Sequence, residues 1–425
     1  MSNLTPPPIK DFSRLHIPPK ESVRLSNGVY LNFISSGQAQ ANRTTLMWNY
    51  GTNRGGNISA CKIVPEVLKQ GTKKLSGAQL VEKIDFLGAF VNHNVGANYT
   101  SIDTLSLNEF TPALLDVVSD MVLNPAFSEE KFEALKRKML ARFDLAHQRT
   151  AIMANEKLMT LLAGCNHPYY CVQSRKDIEN MTLSDVIKAW ADGVNSTEIH
   201  FFTTGNINND LIEKVKETAY SIRPRSIELL GSSIVPFQAE QPGRYFVEMS
   251  DASQSSVAIG IPTIGRIHPD FIPLRIAVVA LGGYFGSRLM TSIREEKGLT
   301  YGISAFLAAT FEGAHIEISA DCDVTYVEDV LAGIDEEIRR LAEEPMHTDE
   351  FRRLRSYYMT TIVSILETFK SIGEYYESQL TVGITPDYFE RQQEVLESLT
   401  PQKISEMVSR YLIDQPRYIV VAGQQ

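Results

Sequence analysis

A chain of 425 residues, 43% hydrophobic and 22% charged, is long enough for two or three domains with sizeable cores. Its formal net charge of −10 argues against nucleic acid and an anionic membrane surface as partners, and is compatible with basic peptides. The most apolar run, Ile276–Leu281, is far too short to span a bilayer, and Met1–Lys20 holds five prolines and no continuous apolar segment, so neither a membrane span nor a secretory leader is expected.

Residues 1–20 read as an extended, Pro-rich lead-in. Val23–Ile34 alternates about Asn27-Gly28, which predicts a hairpin, and Thr44–Tyr50 predicts a further strand. A helix is expected over Ile58–Gln70, closed by Gly71, and another around Leu80, Ile84 and Leu87. Strands are expected at Phe90–Asn94 and Thr100–Asn108, and a helix at Pro112–Leu123 with Thr111 as its cap. Glu129–Arg149 predicts a long charged helix capped by Ser128, followed by more helix to Leu162, a loop over Gly164–Cys171, a helix over Ser184–Asp192 and a strand over Glu198–Thr204. In the second half, Tyr245–Met249, Ser255–Ile261, Ala314–Ala320 and Tyr418–Ala422 read as strands, and Phe271–Leu281, Val327–Leu341, Asp349–Phe369 and Pro401–Tyr411 as helices.

The stretch Gly282–Ser304 carries the most information. Gly282, Gly283 and Gly286 permit tight backbone turns, Leu289 and Ile293 share a helical face, and Gly298 follows as a C-terminal cap. Tyr301, Ile303 and Ala305 then alternate like a strand. A late-helix cation, Arg294, is thereby brought near a phenol at the start of a strand.

Landmarks recur after an interval of about 210–220 residues: Leu80/Ile84 with Leu289/Ile293, Pro125 with Pro345, Thr182 with Thr400, and Gly205 with Gly423. The expectation is an α+β fold of two homologous domains, each a mostly antiparallel sheet backed by helices. The domains would be residues 1–222 and 244–425, joined by an exposed linker over 223–243 with three prolines and a Gly-Ser-Ser step.

Gly283, Ser287, Arg288, Leu289, Arg294, Glu295, Gly298, Leu299 and Tyr301 together resemble a pattern of the pitrilysin/insulinase-like zinc peptidases, the family of mitochondrial processing peptidase; Gly286 departs from it where a serine is expected. Leu87–Asn92 and Asn166–Tyr169 are similar to smaller family features. The resemblance covers nearly the whole chain and implies a half-clam of two similar domains, with Arg294 and Tyr301 as the catalytic pair that binds a substrate carbonyl. Active members carry H-x-x-E-H on a helix of the first domain. Counted back from Gly71-Thr72, those positions hold Lys62, Pro65 and Glu66, and Arg142 stands about where a further glutamate ligand belongs. An ammonium offers zinc no lone pair, and proline offers neither carboxylate nor N–H. No cofactor is therefore expected in this chain.

No two of the eight histidines lie within one helical turn, and Cys165, His167 and Cys171 read as a loop. The glycine spacing of Gly260–Gly265 lacks the Lys-Ser/Thr of a phosphate loop, and no G-x-S-x-G occurs. The four cysteines form no C-x-x-C pair, so reduced thiols in a cytoplasmic protein are expected, or a periplasmic protein if a signal has been removed. The resemblance leaves two readings. In one, the chain is the non-zinc subunit of a heterodimeric metallopeptidase, inactive alone, whose similar-length partner carries the zinc and whose substrate is a peptide. In the other it is a catalytically inactive scaffold or assembly protein. Homodimerisation without a partner stays open.

Overall fold

The computed structural model describes residues 14–37, 39–53, 57–164, 167, 172–195, 198–222, 239–311 and 313–424. Most of the expected linker and two of the four cysteines, Cys165 and Cys171, lie outside them.

The first sheet has strands β1 (Glu21–Arg24), β2 (Tyr30–Ser35), β3 (Ala41–Trp48), β4 (Phe90–Val95), β5 (Thr100–Leu107) and β6 (Ile199–Gly205), in the order β1-β2-β6-β3-β5-β4. The second has β7 (Gly243–Glu248), β8 (Ser255–Thr263), β9 (Thr300–Ala309), β10 (Ala314–Cys322) and β11 (Tyr418–Gly423), in the order β7-β11-β8-β10-β9. With β1 set aside the two orders match strand for strand. Each has one parallel pair, β2 with β6 and β7 with β11, and is otherwise antiparallel.

The helices of the first half are α1 (Ile58–Leu68), α2 (Gly77–Phe86), α3 (Thr111–Leu123), α4 (Glu129–Ala146), α5 (Thr150–Ala163), α6 (Arg175–Asn180), α7 (Leu183–Val194) and α8 (Asn209–Ser221). Those of the second are α9 (Phe271–Val278), α10 (Val327–Glu343), α11 (Thr348–Ser364), α12 (Phe369–Thr381), α13 (Tyr388–Ser398) and α14 (Pro401–Tyr411). The mixed α+β architecture of two mostly antiparallel sheets backed by helices is the one the sequence implies.

Three local expectations change. Thr111 does not cap α3: it is buried and turns its hydroxyl back onto the Leu107 carbonyl at 3.1 Å, leaving Phe110 as the boundary residue. The helix expected over Asp349–Phe369 breaks after Ser364, because Thr368 accepts from the Ser371 N–H at 3.0 Å and starts α12 as its cap. Helices α6, α8, α12 and α13 are additional to the elements expected from sequence.

Two helices cross between the halves. Helix α5 lays Leu158, Leu161 and Leu162 against Ala258, Val420 and Ala422 of the second sheet. Helix α12 lays Ile372, Tyr375 and Tyr376 over Phe202 and Met47 of the first. Both approaches are close: a Cβ on Gly260 would sit 2.8 Å from Leu158 Cδ1, and one on Gly373 would sit 2.8 Å from Arg43 Nη1, so those side chains would have to shift. The glycine spacing at Gly260 thus serves helix packing.

Candidate functional site

Arg294 and Tyr301 come together through two irregularities in regular structure. After Leu289 the backbone widens into a π-helical turn over Met290–Glu296, with Lys297 N–H bonded to the Ser292 carbonyl at 3.0 Å, and Gly298 ends it at φ +63°. Leu289 and Ile293 are fully buried, so they fix the turn while Arg294 projects from it. Its Nε donates to the Tyr301 carbonyl at 2.9 Å, and its guanidinium lies 5.1 Å from the centre of the Phe285 ring. The Nε edge is thus committed to holding the strand end, and the two terminal nitrogens remain as donors.

Tyr301 does not share a face with Ile303 and Ala305. Those two are buried, whereas Tyr301 is 88% exposed. The pairing of β9 with β10 steps from Gly302↔Asp321 to Thr300↔Cys322, leaving Tyr301 as the extra residue of a β-bulge. Buried Thr300 holds the bulge: its hydroxyl lies 2.6 Å from the Asp321 carbonyl and 2.9 Å from that of Gly302, and accepts from the Gly302 N–H at 3.1 Å. Bulges re-aim side chains, and here the phenol is turned out of the core.

Lys62, Pro65 and Glu66, which the resemblance aligns with the zinc motif, lie on α1. Asn57 caps the helix, accepting from Ser59 and Ala60 N–H at 2.9 and 3.3 Å. Pro65 is buried inside it and deprives the Cys61 carbonyl of its usual partner. Lys62 faces a cavity of about 730 Å³, where Arg142 of α4 also lies. Glu66, one turn on, points elsewhere: its carboxylate is 3.7 Å from His93 Nε2, while Lys69 Nζ is 3.1 Å from His93 Nδ1. Burial first, and the Lys69 charge second, hold the His93 imidazole below its ordinary value. The residues present do not fit zinc: two cations stand where ligands would, and the single carboxylate faces away from them. Among the described residues no three His, Cys, Asp or Glu side chains are grouped to hold a metal ion. Burial pushes the Cys61 and Cys322 thiols up to about 11, which leaves neither poised as a nucleophile.

The same cavity gathers residues that spacing could not connect. His147 follows α4 and stacks on Phe143; its Nε2 is 2.9 Å from Glu156 on α5. Asn155, also on α5, donates to buried Glu317 of β10 at 3.0 Å, and His315 lies 3.6 Å from that carboxylate. These residues come from both halves, and the crossing of α5 is what assembles them.

Residues 180–358 match the model described as the Peptidase M16 inactive domain, and residues 63–166 that of insulinase, peptidase family M16. The chain belongs to peptidase family M16. It is 22% identical over 330 residues to an uncharacterized zinc protease of Streptomyces coelicolor, covering 76% of this chain and 72% of that protein. It is 23% identical over 268 residues to the non-peptidase homolog YmxG of Helicobacter pylori, covering 59% of each. An M16 inactive-domain structure from Pseudomonas fluorescens superposes with a TM-score of 0.82 at 18% identity, over 96% of this chain and 98% of that one. A Helicobacter pylori protease superposes at 0.85 and 16% identity, over 96% and 100%. The M16 fold is therefore retained across both halves. Among the described residues no helix is long and apolar enough to cross a membrane.

Proposed function

We propose that this M16 chain is the non-zinc half of a two-chain peptidase and presents Arg294 and Tyr301 to a peptide held at a partner's active centre. The observation that carries the reading is the exposed, bulge-mounted Tyr301 with Arg294 bonded to its carbonyl, in a chain whose motif positions hold Lys62, Pro65 and Glu66. The partner supplies the zinc. As the substrate carbonyl oxygen gains negative charge, the Tyr301 O–H donates a hydrogen bond to it. The terminal nitrogens of Arg294, oriented by the bond from Nε and by Phe285, hold that carbonyl or the next one. Enclosure between two chains excludes water and strengthens both bonds.

The test is capture of a similar-length zinc-motif chain from the native source, followed by peptidase assay of each chain alone and of the pair. Activity is expected only from the pair. Tyr301→Phe should then lower kcat by about 10²–10³-fold, with a smaller change in KM, because the bond strengthens in the transition state. Full activity of the Tyr301→Phe pair would sink the catalytic role and favour a scaffold.

A further inference from the structure

We propose that the cavity between α1, α4, α5 and β10 binds peptide through a carboxylate, received by Arg142 and Lys62. The proposal does not depend on the partner-chain reading. At about 730 Å³ the cavity is of ligand size. Met139, Phe143 and Ile152 give it apolar wall on which side chains can rest.

Its charges are not equivalent. Both carboxylates on the lining serve the protein itself: Glu156 pairs with His147 at 2.9 Å, and Glu317, 7% exposed, accepts from Asn155 at 3.0 Å beside His315. Of the two cations, both exposed, Lys62 keeps an interaction of its own within the chain. Arg142 forms no ion pair with any described residue, although acidic residues outnumber basic ones, 51 to 41. A planar guanidinium at the edge of an apolar recess matches a carboxylate in charge and in two-pronged geometry. Lys62 adds a second positive charge on the same cavity. The carboxylate could come from a peptide's C-terminus or from an acidic side chain; the chemistry is shared, and the two sources are separable.

The experiment uses the full chain and three fluorescein-labelled pentapeptides of Ala, Leu and Phe, read by fluorescence anisotropy. One has a free C-terminus and no acidic side chain, the second a C-terminal amide and one Glu, and the third a C-terminal amide with Gln in place of that Glu. At least one of the first two is expected to bind about tenfold or more tightly than the third. Whichever of the two binds identifies the source of the carboxylate. Arg142→Gln should weaken that peptide about tenfold, Lys62→Gln by a smaller factor, and Arg142→Lys should fall between wild type and Arg142→Gln. Both positions are exposed, so the melting temperature should stay put and exclude unfolding as the cause. Equal binding of all three peptides, saturable binding by none, or an unchanged affinity in Arg142→Gln would overturn the proposal. Failure of the two-chain peptidase would leave this binding assay readable, and failure of binding would leave the catalytic test untouched.

Discussion

The two halves carry the same strand order and have parted in what they display. In the first, α1, the helix that the resemblance aligns with the family's metal motif, packs regularly, with Pro65 inside it and Cys61, Ile63 and Val64 buried. In the second, the stretch that corresponds to α2 and β4 of the first is irregular: a π-helical turn and a β-bulge turn Arg294 and Tyr301 out of the core. A core-facing helical stripe depends on volume and periodicity and survives changes in its polar residues. The half-buried Arg294 and the exposed Tyr301 depend instead on backbone irregularities pinned by the buried Ile293 and Thr300.

The largest effect should come from the contacts that tie one half to the other. Arg43, 4% exposed, pairs with Asp103 and, at 2.6 Å, with Glu377 of the crossing helix α12. Arg43→Ala strands two carboxylates and should cost about 3–5 kcal/mol in denaturant unfolding. The corresponding crossing in the second sheet carries neutral polar contacts, Asn155 to Glu317 and Thr150 with Ser256, and Asn155→Ala should cost only about 1–3 kcal/mol. Equal losses would show that the two crossings are energetically alike.

A smaller effect isolates the bulge. Thr300→Val keeps the shape of the side chain and removes the hydroxyl that bonds Gly302 and Asp321. It should cost about 1–2 kcal/mol and lower the kcat of a reconstituted pair while leaving Tyr301 chemically intact. Unchanged kcat would mean the bulge holds without Thr300.

The smallest effect belongs to His93, beside the degenerate motif. Its imidazole is held below the usual 6.5 by burial and by Lys69, so the folded protein binds fewer protons there than the unfolded chain. Stability should rise with pH across the window just below 6.5 and fall as the solution is acidified through it. Thermal melts of His93→Gln between about pH 7.5 and 5.5 should show a flatter dependence than wild type. Parallel curves would remove His93 from the account.

The sequence makes the second half's turn legible because Leu289, Ile293 and Gly298 are local signals, and the structure places all three as their chemistry requires. Alternation alone does not reveal how Tyr301 is aimed, because the bulge is decided by pairing with Asp321 and Cys322, some twenty residues away. Thr111 looked like a cap by type, but burial gave its hydroxyl a nearer acceptor. His147, Glu156, His315 and Glu317 were illegible as a group, since no spacing rule joins α4, α5 and β10 before α5 is known to cross over.

That crossing also bears on how the chain matures as it leaves the ribosome. The first sheet is complete in sequence at Gly205, yet one of its faces waits for α12, whose last residue is Thr381. During the intervening synthesis, at about 5–20 residues per second, Phe202 and Met47 lack their final cover, and α5 is itself a helix with no sheet to rest on until β8 and β11 exist. The nascent protein therefore passes through an interval of many seconds in which its first half is built but unfinished, and that interval is when a chaperone would find it.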